Sequence, residues 1–315
     1  MVGELCMKSF ICLQTILFMA GSSGLLAQPV GTAAVNEIAP GVFVAEGQVA
    51  LAGPANGGDI ANRAFIVGDK AVAVIDTGGS FAVGAALKSA IHARTNVPIR
   101  YVINTHMHPD HVLGNAAFTD EGVVFAGHTK LPRALAARAG QYLQANRRLI
   151  GEDGFAGTEI IPPTLLVEGD MTLDLGNRLL RLTAHPTAHT DNDLTVYDER
   201  TGTLILGDLL FQDHLPVIDG SLNGWLTVLD RLAAHGASHA VPGHGPASLS
   251  WPEASQDQRR YLTALRDDLR TAIRAGWPLA RALGDIKPEG PEHWRLVEDY
   301  HRRNISAGFA EMEWE

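Results

Sequence analysis

Six residues constrain this 315-residue chain more than anything else in it: His106-Met107-His108-Pro109-Asp110-His111. They follow an apolar, β-rich run at 99–103 and the polar pair Asn104-Thr105, so they occupy the loop at the C-terminal end of a strand. Pro109 suits the first position of a helix, where its missing N–H is no loss. A helix starting there carries Asp110 and His111 in its first turn. Two imidazoles on an extended loop and two ligands on the next turn can face one point. Such a mixture of imidazole and carboxylate suits zinc, whereas carboxylate alone would suit magnesium or calcium.

The rest of the chain supplies a body for that loop. Short β-rich runs at 42–44, 63–67, 71–75 and 99–103 alternate with turns such as Gly57-Gly58-Asp59, and the two runs flanking Gly68-Asp69 predict a hairpin. Ala86, Leu87, Ala90 and Ile91 stand at helical spacing and predict a helix over 80–93. Leu131, Leu135, Tyr142 and Leu143 predict another over 130–149. The pattern then repeats, with strands at 165–167, 171–175, 178–182, 194–197 and 203–206 and a helix at 222–234. From 253 onward the chain is charged and helical, over 258–274 and 292–304, and no low-complexity linker separates this tail from the body. Strands and helices in this order predict an α/β fold of two packed sheets with helices on the outer faces. Length and pattern leave other α/β folds open.

Composition narrows the partners. The formal net charge is -10 and no Lys/Arg block occurs, which argues against nucleic acid or an anionic membrane surface. Lys8, the apolar run 10–20, Gly21-Ser22-Ser23-Gly24 and Leu25-Leu26-Ala27-Gln28 follow the order of a signal peptide. The run is short for spanning a bilayer. Cleavage is expected after Ala27, leaving a periplasmic or secreted protein with no stable membrane anchor. Cys6 and Cys12 both lie in this leader, so the mature chain is expected to hold no thiol and no disulfide.

Three distal residues have the right chemistry to join the motif. His189 stands in Pro186-Thr187-Ala188-His189-Thr190-Asp191-Asn192-Asp193, Asp208 closes the apolar run Leu204-Ile205-Leu206-Gly207, and His244 follows Ala240-Val241 in Pro242-Gly243-His244-Gly245. Each is expected at a strand end, where α/β sheets present site residues. His185 precedes His189 by four and is the competing ligand. His128 either lines the pocket or caps a helix. Asp213, His214 and Trp225 are candidates for a substrate wall, and Trp251, Trp277, Trp294 and Trp314 are expected to pack the helical tail.

Together these motifs resemble the metallo-β-lactamase superfamily, in its glyoxalase II-like branch, across most of 42–245. The resemblance implies a four-layer αββα sandwich over 36–250, after a signal peptide at 1–27 and before a helical extension at 251–315. It implies that His106, His108 and His189 hold a first metal, that Asp110, His111 and His244 hold a second, and that Asp208 bridges them. It makes Asp76, in Val74-Ile75-Asp76-Thr77-Gly78, the aspartate that supports the ligands from behind. The best-known true β-lactamases have cysteine where Asp208 stands, which argues against a β-lactam substrate. A finer resemblance lies in Gly58-Asp59-Ile60-Ala61-Asn62, Asp191-Asn192-Asp193-Leu194-Thr195-Val196, Asp219-Gly220-Ser221-Leu222-Asn223-Gly224-Trp225 and the Glu313-Trp314-Glu315 ending. These look like the quinoprotein relay system zinc metallohydrolases, exported proteins linked by gene neighbourhood to quinoprotein dehydrogenases. That implies a functional link to such a dehydrogenase and carries no substrate with it.

The expected cofactor is a pair of zinc ions, with iron or manganese as alternatives. Two zinc ions among neutral imidazoles and two aspartates leave a surplus of positive charge, which favours hydroxide and an anionic small-molecule substrate. Zinc lowers the pKa of bound water from 15.7 to about 7. The expected reaction is hydrolysis of an ester, thioester, lactone, amide or phosphoryl bond, with Asp110 and Asp208 as catalytic residues. Two rival readings stand beside it: a mononuclear iron persulfide dioxygenase, whose fold and motif are similar, and a non-enzymatic zinc-binding partner of a dehydrogenase. A flavodiiron protein is disfavoured, because that branch has glutamate where His108 stands.

Overall fold

The computed structural model describes Met1 and residues 32–315. The expected leader, with Cys6, Cys12 and the cleavage point after Ala27, lies outside the described residues save for Met1.

The first half of the chain runs β1 (Asn36–Ala39), β2 (Val42–Ala45), β3 (Arg63–Val67), β4 (Val72–Ile75), α1 (Phe81–His92), β5 (Ile99–Ile103), α2 (Pro109–Val112), a 3-10 turn (Asn115–Phe118), β6 (Val124–His128), α3 (Leu131–Ile150), α4 (Glu152–Phe155) and β7 (Leu165–Val167). Its strands lie side by side in chain order. β1 to β4 pair antiparallel as hairpins, and β4 to β7 pair parallel through helical crossovers. The second half runs β8 (Asp170–Asp174), β9 (Leu179–Ala184), β10 (Leu194–Asp198), β11 (Thr203–Phe211), α5 (Leu222–Ala233), β12 (His239–His244), β13 (Leu249–Ser250), α6 (Gln256–Arg274), α7 (Leu279–Asp285) and α8 (Val297–Met312). Its strands form the second sheet in the order β13-β12-β11-β10-β9-β8.

Alternation of side chains sorts the residues into layers. Val42, Val44, Ile66, Ala73, Ile75 and Ile103 of the first sheet meet Leu180, Leu182, Leu194, Val196, Ile205 and Val241 of the second. The other face of the first sheet, Phe65, Val72, Val74 and Val102, is covered by Leu87 and Ile91 of α1 and by Phe118. The outer face of the second sheet, Leu204, Leu206 and Ala240, lies under Trp225 and Leu229 of α5. This is the expected four-layer αββα sandwich. The C-terminal helices join its outer layer: Tyr261, Leu262, Leu265 and Leu269 of α6 and Ile305 and Phe309 of α8 belong to the same apolar cluster as Trp225. Each such side chain, fully buried, stabilises the fold by about 1.5–3 kcal/mol. Among the described residues no helix is long and apolar enough to cross a membrane.

Four details depart from the sequence reading. The tail divides into three helices, because Gly276 (φ +70°) and Pro278 end α6 before α7 begins. β11 does not stop at Leu206 but continues to Phe211, with every residue buried. Trp225 is fully buried, its indole N–H donating to the Leu209 carbonyl at 3.0 Å, so it belongs to the core rather than to a substrate wall. Trp314, by contrast, is 88% exposed and packs nothing, whereas Trp251 and Trp294 are buried as expected.

Candidate metal centre

The site forms where strand ends from both sheets meet. β5 ends at Ile103, and the loop after it carries His106 and His108. His108 has extended backbone and precedes α2, with Pro109 at the helix start, so Asp110 and His111 sit in the first turn. His189 comes from the loop joining β9 and β10, and His244 is the last residue of β12. Asp208 needs a different device. The β11–β12 register shifts on both sides of Gly207, whose φ of +52° suits glycine. A Cβ at Gly207 would also lie 2.6 Å from the Thr105 hydroxyl. This bulge lets a strand interior, not a strand end, turn a carboxylate into the cleft.

Seven side chains converge there in two groups, His106 with His108, His189 and Asp208, and Asp110 with His111 and His244. Within each group the nearest ligand atoms all lie within 4.8 Å of one another. In the first, His106 Nε2 and His189 Nε2 stand 3.1 and 3.0 Å from His108 Nδ1. They stand 3.6 and 3.4 Å from Asp208 Oδ2. In the second, Asp110 Oδ2 lies 3.7 Å from His111 Nε2 and 3.4 Å from His244 Nε2. Those same two nitrogens stand 3.1 and 3.4 Å from Asp208 Oδ1. Asp208 therefore turns one oxygen to each group.

The outward nitrogen of every imidazole is engaged from behind, which fixes the ring and leaves its inward nitrogen a lone pair. His106 Nδ1 meets the Thr105 hydroxyl at 3.0 Å, His108 Nε2 the Asp219 carboxylate at 3.0 Å and His111 Nδ1 the Asp76 carboxylate at 2.8 Å. His189 Nδ1 donates to the Val217 carbonyl at 2.7 Å and His244 Nδ1 to the Ile60 carbonyl at 2.9 Å. Asp76 does more than one job: it also accepts from the Thr105 N–H at 2.8 Å and the Thr105 hydroxyl at 2.7 Å. It ends β4 in the left-handed region (φ +57°), a conformation aspartate tolerates better than most residues.

The donor set fits divalent metal. His111 Nε2 and Asp208 Oδ1 are buried and, although close, form no hydrogen bond with each other or with anything else described. Orphaned polar atoms of this kind are rare in folded proteins and call for a partner. Burial draws His106 well below its ordinary pKa, with His111 adding to the effect, and takes His189 to about 3. Burial opposes charge on His111 too, yet Asp208, Asp76 and Asp110 raise it well above the ordinary value. Burial would raise Asp208, but His111, His244 and His106 hold its carboxyl well below the usual range. The carboxylates thus draw positive charge to this point, which a bound cation would supply in place of protons.

A cleft of about 450 Å³ opens on both groups and is lined by His108, Asp110, Asp208, Phe211, His214 and His244 and by residues of α3 and α8. His214 enters the wall as expected, stacked between His244 at 5.0 Å and Tyr300 at 5.2 Å. Asp213 does not line the cleft. His185 stays out of the metal groups, hydrogen-bonded to the Thr195 hydroxyl at 2.9 Å. His128 accepts from the Lys130 N–H at 3.0 Å where α3 begins, a capping role and not a pocket one.

A model of the metallo-beta-lactamase superfamily matches residues 56–255, which hold every one of the seven ligand candidates. The chain belongs to this superfamily. A Caenorhabditis elegans protein named beta-lactamase-like protein 2 homolog is 28% identical over 162 residues, 51% of this chain and 47% of its own length. The chain thus spans about half the length of the curated relative it matches. Among solved structures, the stereoselective inverting sec-alkylsulfatase Pisa1 from Pseudomonas sp. superposes with a TM-score of 0.68 at 18% identity, over 89% of this chain and 50% of that one. The metallo-beta-lactamase from Pontibacter korlensis gives 0.60 at 18% identity, over 73% of this chain and 98% of its own.

Several residues at this centre carried no sign of their role in the sequence. Asp219 belongs to the 219–225 run of the finer resemblance, yet nothing in that run tells that it orients His108. Thr105 is an unremarked neighbour of the motif. Arg138, Tyr142, Tyr300 and Arg303 reach the cleft from two helices whose periodicity speaks only of packing.

Proposed function

We propose that this chain is a dinuclear zinc hydrolase that works in the periplasm on an ester, thioester, lactone or related bond of a small anionic substrate. The observation that carries the reading is the division of Asp208, with Oδ2 toward His106 and His189 and Oδ1 toward His111 and His244. One carboxylate so placed would serve two ions if both were bound, and a single-metal reading leaves the group of Asp110, His111 and His244 without a task. Zinc suits the mixed imidazole and carboxylate donors, with iron and manganese the alternatives. When bound, such ions acidify water to a pKa of about 7 and act as Lewis acids. Asp208 is buried and holds both groups in register. Asp110, more open to the cleft, is placed to accept a hydrogen from the attacking water and keep it in line. Phe211 and His214 wall off bulk water, while Arg138 and Arg303 supply positive charge for an anionic group away from the reacting bond. Export, and service beside a quinoprotein dehydrogenase, rest on the leader and on the finer sequence resemblance.

Mass spectrometry of metals in the folded protein and a panel of thioester, lactone, phosphodiester and β-lactam substrates test the reading. Two zinc ions per chain and turnover of a substrate other than the β-lactam are expected. A cephalosporin turned over at about 10 per second or more would move the chain to another branch. One iron ion with oxygen uptake would replace hydrolase by dioxygenase, and zinc without any turnover would leave only a binding partner.

A further inference from the structure

We infer that Asn304 and Glu311 of the C-terminal helix α8 position the first metal group and not the second, acting through a strap of backbone at 216–221. This rests on the two-metal reading above. The strap runs beside the loop that carries His189: the Asp219 N–H donates to the His189 carbonyl at 3.1 Å and the Ser221 N–H to the Ala188 carbonyl at 2.8 Å. A Cβ at Gly220 would stand 2.4 Å from the Ala188 oxygen, so the two segments are in backbone contact. Two of the three histidines of the first group are oriented by this strap, His189 through the Val217 carbonyl and His108 through the Asp219 carboxylate. The second group draws its support elsewhere, from Asp76 at the end of β4 and the Ile60 carbonyl.

α8 clamps the strap at both ends. Asn304, fully buried, accepts from the Ile218 N–H at 2.9 Å and donates to the Pro216 carbonyl at 2.6 Å. Val217 is thus held between two bonds to one side chain. A third bond, from Asn304 to the Tyr261 hydroxyl at 2.9 Å, ties the clamp to α6. About two turns further on, Glu311 accepts from the Ser221 hydroxyl at 2.7 Å and from the N–H groups of Leu222 and Asn223 at 2.6 and 3.2 Å. A carboxylate at the start of α5 also opposes the positive end of that helix. Asn304 and Glu311 touch no metal ligand. Their effect passes through Val217 and Asp219.

The test measures zinc affinity of the full chain by competition with a chromophoric chelator, in two backgrounds. His244→Ala leaves the first group whole, and His106→Ala leaves the second. Loss of support behind a ligand typically costs 10–100-fold in affinity, so Asn304→Ala should weaken zinc about tenfold or more in the first background and within about twofold in the second. Glu311→Gln, which removes one acceptor and keeps the other, should shift affinity in the same direction by less. Equal weakening in both backgrounds would make Asn304 a general stabiliser and overturn the inference, as would undiminished affinity in the first. If Asn304→Ala does not fold, the Glu311→Gln pair decides by the same criteria. A chain that binds zinc yet hydrolyses nothing sinks the hydrolase reading and leaves this measurement intact.

Discussion

Asp208 is only 4% exposed and lies inside a strand, where an unpaired carboxylate is costly to bury. The imidazoles on both sides account for its presence only if something positive joins them. Asp208→Ala should therefore lower bound zinc from two ions toward one and reduce turnover by more than the roughly 10–100-fold typical of outer support residues. His106→Ala should lose the first ion and Asp110→Ala the second, as metal analysis of each folded variant would reveal. An Asp208 variant that still held two ions would refute the bridge. Gly243 makes a sharper probe. A Cβ there would lie 1.9 Å from Asp208 Oδ1 and 2.8 Å from the Gly207 backbone, so Gly243→Ala displaces the carboxylate without changing any ligand. Overpacking of this kind costs about 1–3 kcal/mol, readable in a urea melt, and here the zinc count should fall with it.

At the scale of elements, the cleft is walled by α3, which brings Arg138, Gln141 and Tyr142, and by α8, which brings Tyr300 and Arg303. Burial raises both phenols, Tyr142 well above the ordinary value and Tyr300 to about 12, so each is a neutral hydrogen-bond donor at working pH. Arg303 approaches Asp219 at 3.8 Å, whereas Arg138 enters no ion pair among the described residues. A guanidinium left over at the mouth of a metal cleft suits an anionic substrate group. A hydrogen bond to a charged group contributes about 1.5–3 kcal/mol, so Arg138→Ala should raise KM about tenfold or more for an anionic substrate. With kcat nearly unchanged, the arginine would be serving binding alike in ground and transition states. A neutral analogue of the same substrate should feel the change little, and steady-state kinetics on the pair would settle it.

For the whole molecule, metal is coupled to folding. An ion bound a thousandfold above its dissociation constant stabilises the native state by about 4 kcal/mol. Chelation should lower Tm by roughly 5–10 °C in a chain of this size, and an unmoved melting curve would mean that the cluster tolerates vacancy. Acid acts through a separate group. Burial takes His185 down to about 4, with His128 nearby adding to the shift. An unfolded chain takes up that proton near pH 6.5, the folded chain only near 4, so the stability His185 contributes is complete above about pH 6.5 and is lost as pH falls toward 4. His185→Gln should flatten the fall in stability across that window, measured on metal-free protein.

Local physics makes much of this legible in the sequence. Short β-rich runs mark β3 to β5, helical spacing marks α1 and the start of α3, and Pro109 marks where α2 begins, because each follows from the geometry of a few neighbouring residues. The same holds for the ligands of the central run, which one loop and one turn bring together. His189, Asp208 and His244 were legible as polar residues beside apolar strands, and family likeness gave them their partners. Some strands fell short of a local reading, among them β1, with only four residues at a sheet edge, β13, with two, and β11, which hides its bulge in an unbroken buried run. The bulge turns on the approach of Gly207 to Thr105, 102 positions away in the chain by the numbering, and no local pattern encodes that contact. The support behind the imidazoles was equally invisible, since Val217 and Ile60 act through backbone carbonyls that any residue possesses. Sequence determined which side chains could bind metal. Only the tertiary structure decided which way each ring faces, what clamps it there, and which helices close the cleft, because those are contacts between segments that share no local pattern.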